Sequence, residues 1–296
     1  MVERWAQKLR SGVEEYSFAA ATRHVALGPR GAVGRAARRG TGIDVTEIGI
    51  GMRALPGAFH GMRVVHLTDI HHGLYVPLQA VMDVVELANE LDPDLVVLTG
   101  DFVTYSRAYI EPVTAVLGGL RARHGVAAVL GNHDFRVDAD GVTRALRREK
   151  IEVLRNRHLT IQSGGEKFYL AGVDDTGYGA DLPRALRGIP TLAPTVLLSH
   201  NPKIIRRASR FWVSLVLSGH THGGQLRLPL VGSIYGRSAE RSRFKAGWDR
   251  IGQTQIYVSR GIGTIVLPWR YHCPAEIPHI HLLPQPIPPP AGRPHR

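Results

Sequence analysis

The sequence predicts an α/β fold that contains two sheets, and two patterns along the chain support this prediction. Between residues 61 and 150, three strand-like runs of aliphatic residues alternate with three helical patterns, which is the order of βαβ units around a parallel sheet. After residue 150, short strand-like runs follow one another, and their number implies a second sheet that faces the first. The length of 296 residues suits one large α/β domain.

Each predicted element rests on its own pattern. Pro77 is favourable at the start of a helix, and the apolar face of the helix that follows is formed by Leu78, Val81, Val85, Leu87 and Leu91. This helix is predicted at 77–91. The other elements before residue 151 are an edge strand at 44–52, strands at 61–68, 95–99 and 126–130, and helices at 110–121 and 139–150. The strands predicted after them lie at 152–154, 158–162, 168–173, 195–199, 213–218, 256–259 and 277–283.

The two ends of the chain differ in composition from the predicted domain, which spans residues 43–284. Residues 1–27 form a weak amphipathic pattern with basic flanks, so they are predicted to be a helix that either packs on the domain or lies against an anionic membrane. Residues 28–42 are expected to form a flexible linker, and residues 285–296 a proline-rich tail. Because neither a membrane span nor a signal peptide is recognised, the expected location is cytoplasmic, with peripheral membrane contact as the alternative.

The charge and the cysteine content limit the possible partners and ligands. A formal net charge of +12 favours polyanionic partners such as nucleic acid, anionic lipid or phosphorylated sugars, although codon bias towards arginine would produce the same excess. Cys273 is the single cysteine, which excludes an internal disulfide and a thiolate metal cage. A metal would therefore be held by His, Asp and Asn, which favours Mn, Fe, Zn or similar ions.

Five short blocks rich in metal-ligand residue types each follow a strand-like run. They are Asp69-Ile70-His71, Gly100-Asp101, Gly131-Asn132-His133-Asp134, Ser199-His200 and Gly219-His220-Thr221-His222. Each block alone also occurs as an ordinary turn, but all five in one chain supply the donors for two adjacent divalent cations. Because functional groups of open α/β sheets gather at the carboxyl ends of strands, these side chains are expected to converge.

The spacing within the blocks suits metal coordination. Residues 69 and 71 are two apart, so an aspartate and a histidine can leave a strand end on the same side and bind one cation. Asp101 offers two carboxylate oxygens, which suits a bridge between two ions. The remaining donors of the two coordination spheres are Asn132, His200, His220 and His222.

In order and spacing, the five blocks resemble those of the calcineurin-like metallophosphoesterases over roughly residues 62–283. The segments 68–73, 258–264 and 267–270 are similar to a bacterial branch that acts on cell-envelope or lipid-linked phosphodiesters and pyrophosphates. The resemblance implies a four-layer α-β-β-α sandwich of two mixed sheets flanked by helices, with a dinuclear metal site at the carboxyl ends of the strands. It also implies a phosphorylated small-molecule substrate, lipid-linked or nucleotide-linked, whereas a protein partner is not implied.

The resemblance further implies a role for each site residue. The first ion would be bound by Asp69, His71 and His222, the second by Asn132, His200 and His220, and Asp101 would bridge them. A hydroxide between the ions would attack phosphorus. His133 would stabilise or protonate the leaving oxygen as a general acid, with Asp134 orienting its ring.

Several alternatives remain at the level of sequence. Arg260 lies in a turn after a strand, where it would either contact a substrate phosphate or form a structural salt bridge. A nuclease or a cyclic-nucleotide phosphodiesterase would suit the basic charge, although no basic stripe interleaved with aromatic residues is recognised. A non-catalytic scaffold on the same fold is the third alternative, and the complete set of ligands argues against it.

Overall fold

The computed structural model describes residues 34–37, 42–228, 232–233 and 244–285. The predicted N-terminal helix, most of the predicted linker and the proline-rich tail after Gln285 lie outside these ranges, as does any membrane contact made through them. Within the described ranges, no helix has both the length and the apolar character that a membrane crossing requires.

Fifteen strands lie in the described part of the chain. In chain order they are β1 (Gly34–Ala37), β2 (Ile43–Arg53), β3 (Met62–Leu67), β4 (Leu95–Leu98), β5 (Val126–Ala128), β6 (Glu152–Val153), β7 (Arg157–Ser163), β8 (Glu166–Gly172), β9 (Thr195–Leu198), β10 (Leu215–Ser218), β11 (Arg227–Leu228), β12 (Gly232–Ser233), β13 (Gly247–Ile251), β14 (Thr254–Val258) and β15 (Ala275–Gln285). The helices are α1 (Leu78–Glu90), α2 (Ile110–Leu117), α3 (Asn132–Arg148), α4 (Leu182–Ala185) and α5 (Ile205–Ala208).

Thirteen of the strands form two mixed sheets, as the sequence predicted, and β11 pairs with β12 in a separate two-stranded sheet. The first sheet has seven strands in the order β1-β2-β15-β3-β4-β5-β6, and the second has six in the order β13-β14-β10-β9-β8-β7. Strands β3 to β6 run parallel to one another, as do β8, β9, β10 and β14. Each sheet also contains antiparallel pairs.

Three apolar cores hold four layers together. One core joins α1, α2 and α3 to the outer face of the first sheet. A second fills the space between the sheets, with Ile50, Val64, Leu170 and Leu217 among its buried members. A third joins α4 and α5 to the second sheet. This arrangement confirms the α-β-β-α sandwich.

Two predictions about the start of the domain need correction. The strand predicted at 44–52 is an interior strand and not an edge, because β15 returns from the far end of the chain to pair with β2 along its whole length. Residues 34–37, which were predicted to belong to a flexible linker, form β1 and pair with the other side of β2. Backbone pairing of this kind requires no apolar periodicity, so the sequence pattern gave no sign of it.

The helix predicted at 139–150 also differs from the structure. Helix α3 begins at Asn132, seven residues earlier than predicted, and its backbone becomes extended at Asp138 (φ −176°, ψ 88°) before helical structure resumes. The block that starts at Gly131 is therefore the first turn of a helix and not a loop. The side chains of Asn132, His133 and Asp134 are therefore positioned by a helical backbone.

The topology brings the five blocks to one edge of the sandwich. Strands β3, β4 and β5 of the first sheet and β9 and β10 of the second each end shortly before one block. Within each sheet these strands are parallel, so their carboxyl ends lie side by side, as expected for functional groups in open α/β sheets.

Candidate metal centre

The predicted ligands converge into three overlapping clusters of donor atoms. Within each cluster, one donor atom per residue lies within 4.8 Å of the others. The clusters are Asp69 with His71 and His222, His71 with Asp101 and His133, and Asp101 with His200 and His220. Shared members make these clusters one continuous site.

Asp101 lies at the middle of this site. Its Oδ2 is 3.4 Å from Nε2 of His71 and 3.1 Å from Nε2 of His200, two residues that belong to different ends of the site. Its Oδ1 accepts a hydrogen bond of 2.8 Å from the backbone N–H of His133. A carboxylate in this position can be shared between two cations.

Asp69, His71 and His222 form one end of the site. The two Nε2 atoms of the histidines are 3.1 Å apart, and their rings stack with centroids separated by 4.9 Å. Oδ1 of Asp69 lies 3.3 Å from Nε2 of His222 and 4.0 Å from Nε2 of His71. These three donors point towards one common position.

His200 and His220 form the other end together with Asp101, and Asn132 is the remaining ligand that was predicted there. Nδ1 of His220 is 3.1 Å from Nε2 of His200, and Nδ1 of His200 donates to the carbonyl oxygen of Thr99 at 2.8 Å. Nε2 is therefore the nitrogen of His200 that faces Asp101 and the rest of the site. Oδ1 of Asn132 is buried and has no hydrogen-bond partner among the described residues. A buried amide oxygen without a donor costs free energy, and a cation would satisfy it.

The donor set therefore fits divalent metal ions. Carboxylate, imidazole and amide oxygen donors suit first-row ions such as Mn, Fe and Zn. The carbonyl partner on Nδ1 of His200 is the kind of outer contact that fixes the ring of a metal-binding histidine. The residues present thus match the prediction of a metal site, and its histidine and aspartate groups are positioned to bind metal.

Five of the seven predicted ligands have a left-handed backbone. The φ angles are 52° for Asp69, 52° for His71, 56° for Asp101, 71° for His220 and 50° for His222. This conformation is unfavourable for residues with a Cβ atom, at a cost on the order of 1–3 kcal/mol each. Strained backbone of this kind gathers at functional sites, where the surrounding structure holds it in place. Here it turns each side chain from the strand end into the site.

Two glycines allow the loops to approach each other. A Cβ atom on Gly131 would overlap the Asp101 carboxylate, and one on Gly219 would overlap the Asp69 carboxylate and the Thr68 hydroxyl. The glycine in each of these two blocks is therefore required by close packing against a carboxylate of the candidate site.

The electrostatics of the site favour cations. Burial opposes ionisation of Asp101, but the facing His200 and His71 hold the pKa of this carboxyl well below its usual range. Burial likewise opposes a charge on His200, yet Asp101 raises the pKa of His200 to about 10. The buried carboxylates thus strongly attract positive charge. Burial lowers the pKa of His222 to about 3 and that of His220 to about 4, which keeps both rings in the neutral form that binds metal.

His133 lies beside the predicted ligands His71 and Asp101, but Asp134 does not orient its ring as predicted. Nδ1 of His133 bonds the carbonyl oxygen of Thr104 at 2.9 Å, and its ring meets the edge of His71 at a centroid distance of 4.9 Å. Asp134 instead accepts hydrogen bonds from the backbone N–H groups of Gly131, Asp101 and Phe102. The start of α3 at Asn132 explains the correction, because Asp134 is three residues after the N-cap and turns back towards free N–H groups.

The pKa values of Asp134 and His133 are shifted in opposite directions. Burial and the neighbouring charge of Asp101 raise the pKa of Asp134 to about 7, while its backbone donors act in the opposite direction. Burial lowers the pKa of His133, and the charge of Asp101 opposes this. For His133 to hold a second proton and act as a proton donor, an additional negative charge would therefore have to lie close to its ring.

Arg260 occupies the second of its two predicted environments. Its guanidinium pairs with Asp44 at 3.2 Å and with Glu276 at 3.7 Å, and its Nε donates to the carbonyl oxygen of Pro274 at 3.0 Å. Both carboxylates are buried. These contacts are those of a structural salt bridge.

Arg270 is a residue whose importance the sequence did not reveal. It is buried, and its guanidinium donates to the carbonyl oxygens of Arg260 at 2.8 Å and of His222 at 3.3 Å. Further acceptors are the carbonyl oxygens of Gly261, Gly263 and Cys273. One side chain thus joins the loop that carries His222 to the loop after β14. The sequence offered only its place in the segment 267–270.

Comparison with known protein families gives an independent match. A family model described as calcineurin-like phosphoesterase matches residues 62–224. This range contains all seven predicted ligands together with His133 and Asp134.

Several curated proteins are similar to this chain. A transmembrane protein with a metallophosphoesterase domain from Danio rerio is 34% identical over 253 residues, which cover 80% of this chain and 57% of that protein. A metallophosphoesterase of Bacillus subtilis, YkuE, is 33% identical, with 79% and 84% covered. The Escherichia coli phosphodiesterase YaeI is 32% identical, with 75% and 82% covered. The chain spans a little over half the length of the vertebrate relatives that it matches.

Proposed function

The chain belongs to the calcineurin-like phosphoesterase family, and from this membership we propose that it hydrolyses phosphodiester or pyrophosphate bonds with two divalent ions. The observation that carries the proposal is the position of Asp101. One oxygen of this carboxylate lies 3.4 Å from a nitrogen of His71 and 3.1 Å from a nitrogen of His200. This arrangement supports two adjacent cation sites that share one ligand.

The ligands divide into two groups around Asp101. Asp69, His71 and His222 would hold the first ion, and the second would be held by Asn132, His200 and His220. When bound, the two cations would neutralise the phosphoryl oxygens and lower the pKa of the attacking water, which is the chemistry that this hydrolysis needs. Manganese, iron and zinc all suit the donor set, and Mn²⁺ is the ion that we would test first.

His133 is proposed to supply the proton for the leaving oxygen. A nitrogen of its ring lies within 4.8 Å of donor atoms of His71 and Asp101, so the ring borders the place where the phosphorus would sit. Because Nδ1 is occupied by the carbonyl oxygen of Thr104, the proton would be held on Nε2. The negative charge of a bound phosphoryl group would favour that second proton. As the bond from phosphorus to the leaving oxygen breaks, this oxygen would take the proton.

The surroundings of the site support a substrate with an apolar group. A cleft lined in part by Tyr75, Ile262, Pro268 and Trp269 borders the loop of the first ligand, since the N–H of Gly263 in the same cleft donates to the carbonyl oxygen of Asp69 at 2.7 Å. The exposed side chains near the ligand loops include Leu74, Tyr75, Tyr105 and Val266. A lipid-linked phosphodiester or pyrophosphate would match this character, and a nucleotide-linked one could stack on the aromatic rings.

The proposal is tested with purified full-length protein in the presence of Mn²⁺. We expect bis-p-nitrophenyl phosphate to be hydrolysed faster than the corresponding monoester. Asp101→Asn should remove both turnover and bound metal. The control Asp83→Asn, at a partly exposed aspartate on α1, should change neither. Absence of activity with Mn²⁺, Fe²⁺ and Zn²⁺ alike would refute the enzymatic proposal and favour a scaffold.

A substrate panel then separates the finer alternatives. Lipid-linked pyrophosphates, nucleotide-linked diesters, cyclic nucleotides and single-stranded nucleic acid would be compared by kcat/KM under the same conditions. We expect the highest value for a lipid-linked or nucleotide-linked compound. A clear preference for nucleic acid would instead support a nuclease, as the net charge of +12 would allow.

A further inference from the structure

A second cluster of metal-ligand residues lies on the outer face of the first sheet. Glu47 is on β2, and His279 and His281 are on the adjacent strand β15. His279 is the register partner of Glu47, and His281 is paired with Gly49. Because alternate residues of a strand share a face, the two imidazoles stand next to each other beside one carboxylate.

The three side chains are in direct contact. Oε1 of Glu47 lies 2.9 Å from Nδ1 of His279, and Oε2 lies 2.8 Å from Nε2 of His281. The two rings have centroids 4.7 Å apart. The donor atoms of all three residues lie within 4.8 Å of one another. One carboxylate and two imidazoles are therefore gathered at a single point.

This cluster is distinct from the candidate metal centre. His281 is paired with Arg63 and His279 with Val65 on β3, whereas Asp69 follows the end of that strand. With a rise of about 3.3 Å per residue along a strand, His279 and His281 lie roughly 13 to 20 Å from Asp69. The two sets of ligands therefore cannot share an ion.

The local charges leave the cluster available to a cation. Burial opposes ionisation of Glu47, but its two histidine contacts hold the pKa of this carboxyl below its usual range. Arg63, which is opposite His281 on β3, directs its guanidinium to Asp92 at 2.9 Å and Asp94 at 3.3 Å, so these carboxylates balance its charge. The side chain of His279 is 8% exposed and that of Glu47 is 40% exposed. His279 is therefore buried in the fold, and Glu47 is accessible to solvent.

We propose that Glu47, His279 and His281 bind a divalent transition-metal ion such as Zn²⁺ at a site separate from the catalytic centre. Two imidazoles with one carboxylate are a donor set that zinc accepts, and water would complete the coordination. At metal–ligand distances of about 2.0–2.2 Å, ligands of a tetrahedral ion lie about 3.3 Å apart. The present contacts of 2.8 and 2.9 Å would need to open slightly, which the partly exposed Glu47 and His281 can accommodate.

An ion at this position would join the first and the last long strand of the domain. The pairing of β2 with β15 spans residues 43–53 and 275–285, two segments that are far apart in the chain. Strand β15 also carries Glu276, which accepts a hydrogen bond of 2.9 Å from the backbone N–H of Arg260. Bound metal would therefore stabilise the folded state, because it binds the folded and not the unfolded chain.

Metal content distinguishes this site from the catalytic centre. Full-length protein would be stripped with a chelator, loaded at a buffered micromolar concentration of free Zn²⁺, desalted and analysed for zinc per chain. We expect Glu47→Gln and His281→Ala each to hold one ion fewer than the wild type. His60→Ala, which removes an exposed histidine elsewhere, should hold as many ions as the wild type.

Two further readouts complete the test. The rise in Tm on adding Zn²⁺ should be smaller for Glu47→Gln and His281→Ala than for His60→Ala, while hydrolysis of bis-p-nitrophenyl phosphate should be unchanged in all three. Equal zinc content in the wild type and in both site variants would overturn the proposal. The proposal would also be overturned if desalting removed the additional zinc ion from the wild type as well as from the two site variants.

Discussion

The carboxylate of Asp134 accepts a hydrogen bond of 2.8 Å from the backbone N–H of Asp101. In return, the carboxylate of Asp101 accepts one of 2.8 Å from the backbone N–H of His133. The loop after β4 and the first turn of α3 are thus tied to each other in both directions. The carboxylate proposed to bridge two ions therefore depends on a neighbouring acid for the position of its own backbone.

Replacement of Asp134 by asparagine tests this dependence. The variant would place an NH2 donor against backbone N–H donors of Gly131, Asp101 or Phe102, so at least one buried group would lose its partner. We expect a loss of about 1–3 kcal/mol in the free energy of unfolding, together with lower metal content. Urea denaturation and elemental analysis measure the two effects.

Asp83→Asn is the matched control for this change. Asp83 is partly exposed on α1 and accepts a hydrogen bond from Gln79 within the same helix, so its replacement should alter stability by less than about 0.5 kcal/mol. If Asp134→Asn behaved like this control in both stability and metal content, the backbone contacts of Asp134 would not be what holds Asp101 in position.

The convergence of the proposed metal ligands could be predicted from the sequence because its signal is local. Asp69, Asp101 and His200 each follow a short aliphatic run, and parallel strands bring such ends together whatever the details of the topology. The role of Asp134 could not be predicted in the same way. Its block reads as a set of ligands, whereas its contacts depend on where the helix begins, and the start of α3 came seven residues before the apolar pattern suggested.

The remaining differences arise from contacts between distant residues. The position of β2 inside the sheet depends on β15, about 230 residues later in the chain, and the Thr46–Glu276 hydrogen bond illustrates this separation. Local periodicity carries no information about such a partner. The hydrogen bonds of Arg270 were missed for the same reason, since a buried arginine that donates to carbonyl oxygens has no distinctive sequence pattern.

His133→Gln should separate proton donation from metal binding. Because the metal-binding donors of the seven proposed ligands remain, metal content should stay at the wild-type value. The rate should fall by roughly 10²- to 10⁴-fold for a diester with a poor leaving group, as expected for a lost general acid. The fall should be much smaller for bis-p-nitrophenyl phosphate, since p-nitrophenolate leaves without needing a proton.

Comparison of the two leaving groups is the decisive measurement for His133. Steady-state kcat would be determined for both substrates with the wild type and the variant at equal metal content. An equal loss for both substrates would argue against proton donation and in favour of a role in positioning the substrate.

Arg260→Met distinguishes its two predicted roles. This substitution removes the guanidinium that pairs with the buried carboxylates of Asp44 and Glu276. Breaking a buried ion pair typically costs about 3–5 kcal/mol. We expect lower stability in urea denaturation but an unchanged KM for the diester in the folded fraction. A rise in KM of tenfold or more with little change in stability would instead assign Arg260 to the substrate phosphate.

Arg270→Lys tests whether the buried guanidinium supports the first metal site. A lysine side chain has one compact ammonium group and cannot reach several carbonyl oxygens at once, so the loops that carry His222 and Gly263 should separate. We expect a loss of about 1–3 kcal/mol in stability and weaker binding of the ion that Asp69, His71 and His222 are proposed to hold. The ion at the other end should be less affected, because the geometry of His200 is fixed by Thr99.

Calorimetric titration of the stripped protein with zinc, in a Glu47→Gln background that lacks the proposed site at Glu47, His279 and His281, can resolve this difference between the two ions of the candidate metal centre. Arg184→Lys, at an exposed arginine, is the matched control and should bind both ions as the wild type does. If Arg270→Lys also bound both ions with wild-type affinity, Arg270 would support the fold without positioning His222. A selective loss at one ion would instead show that this arginine, through the backbone of His222, sets the affinity of half of the metal centre.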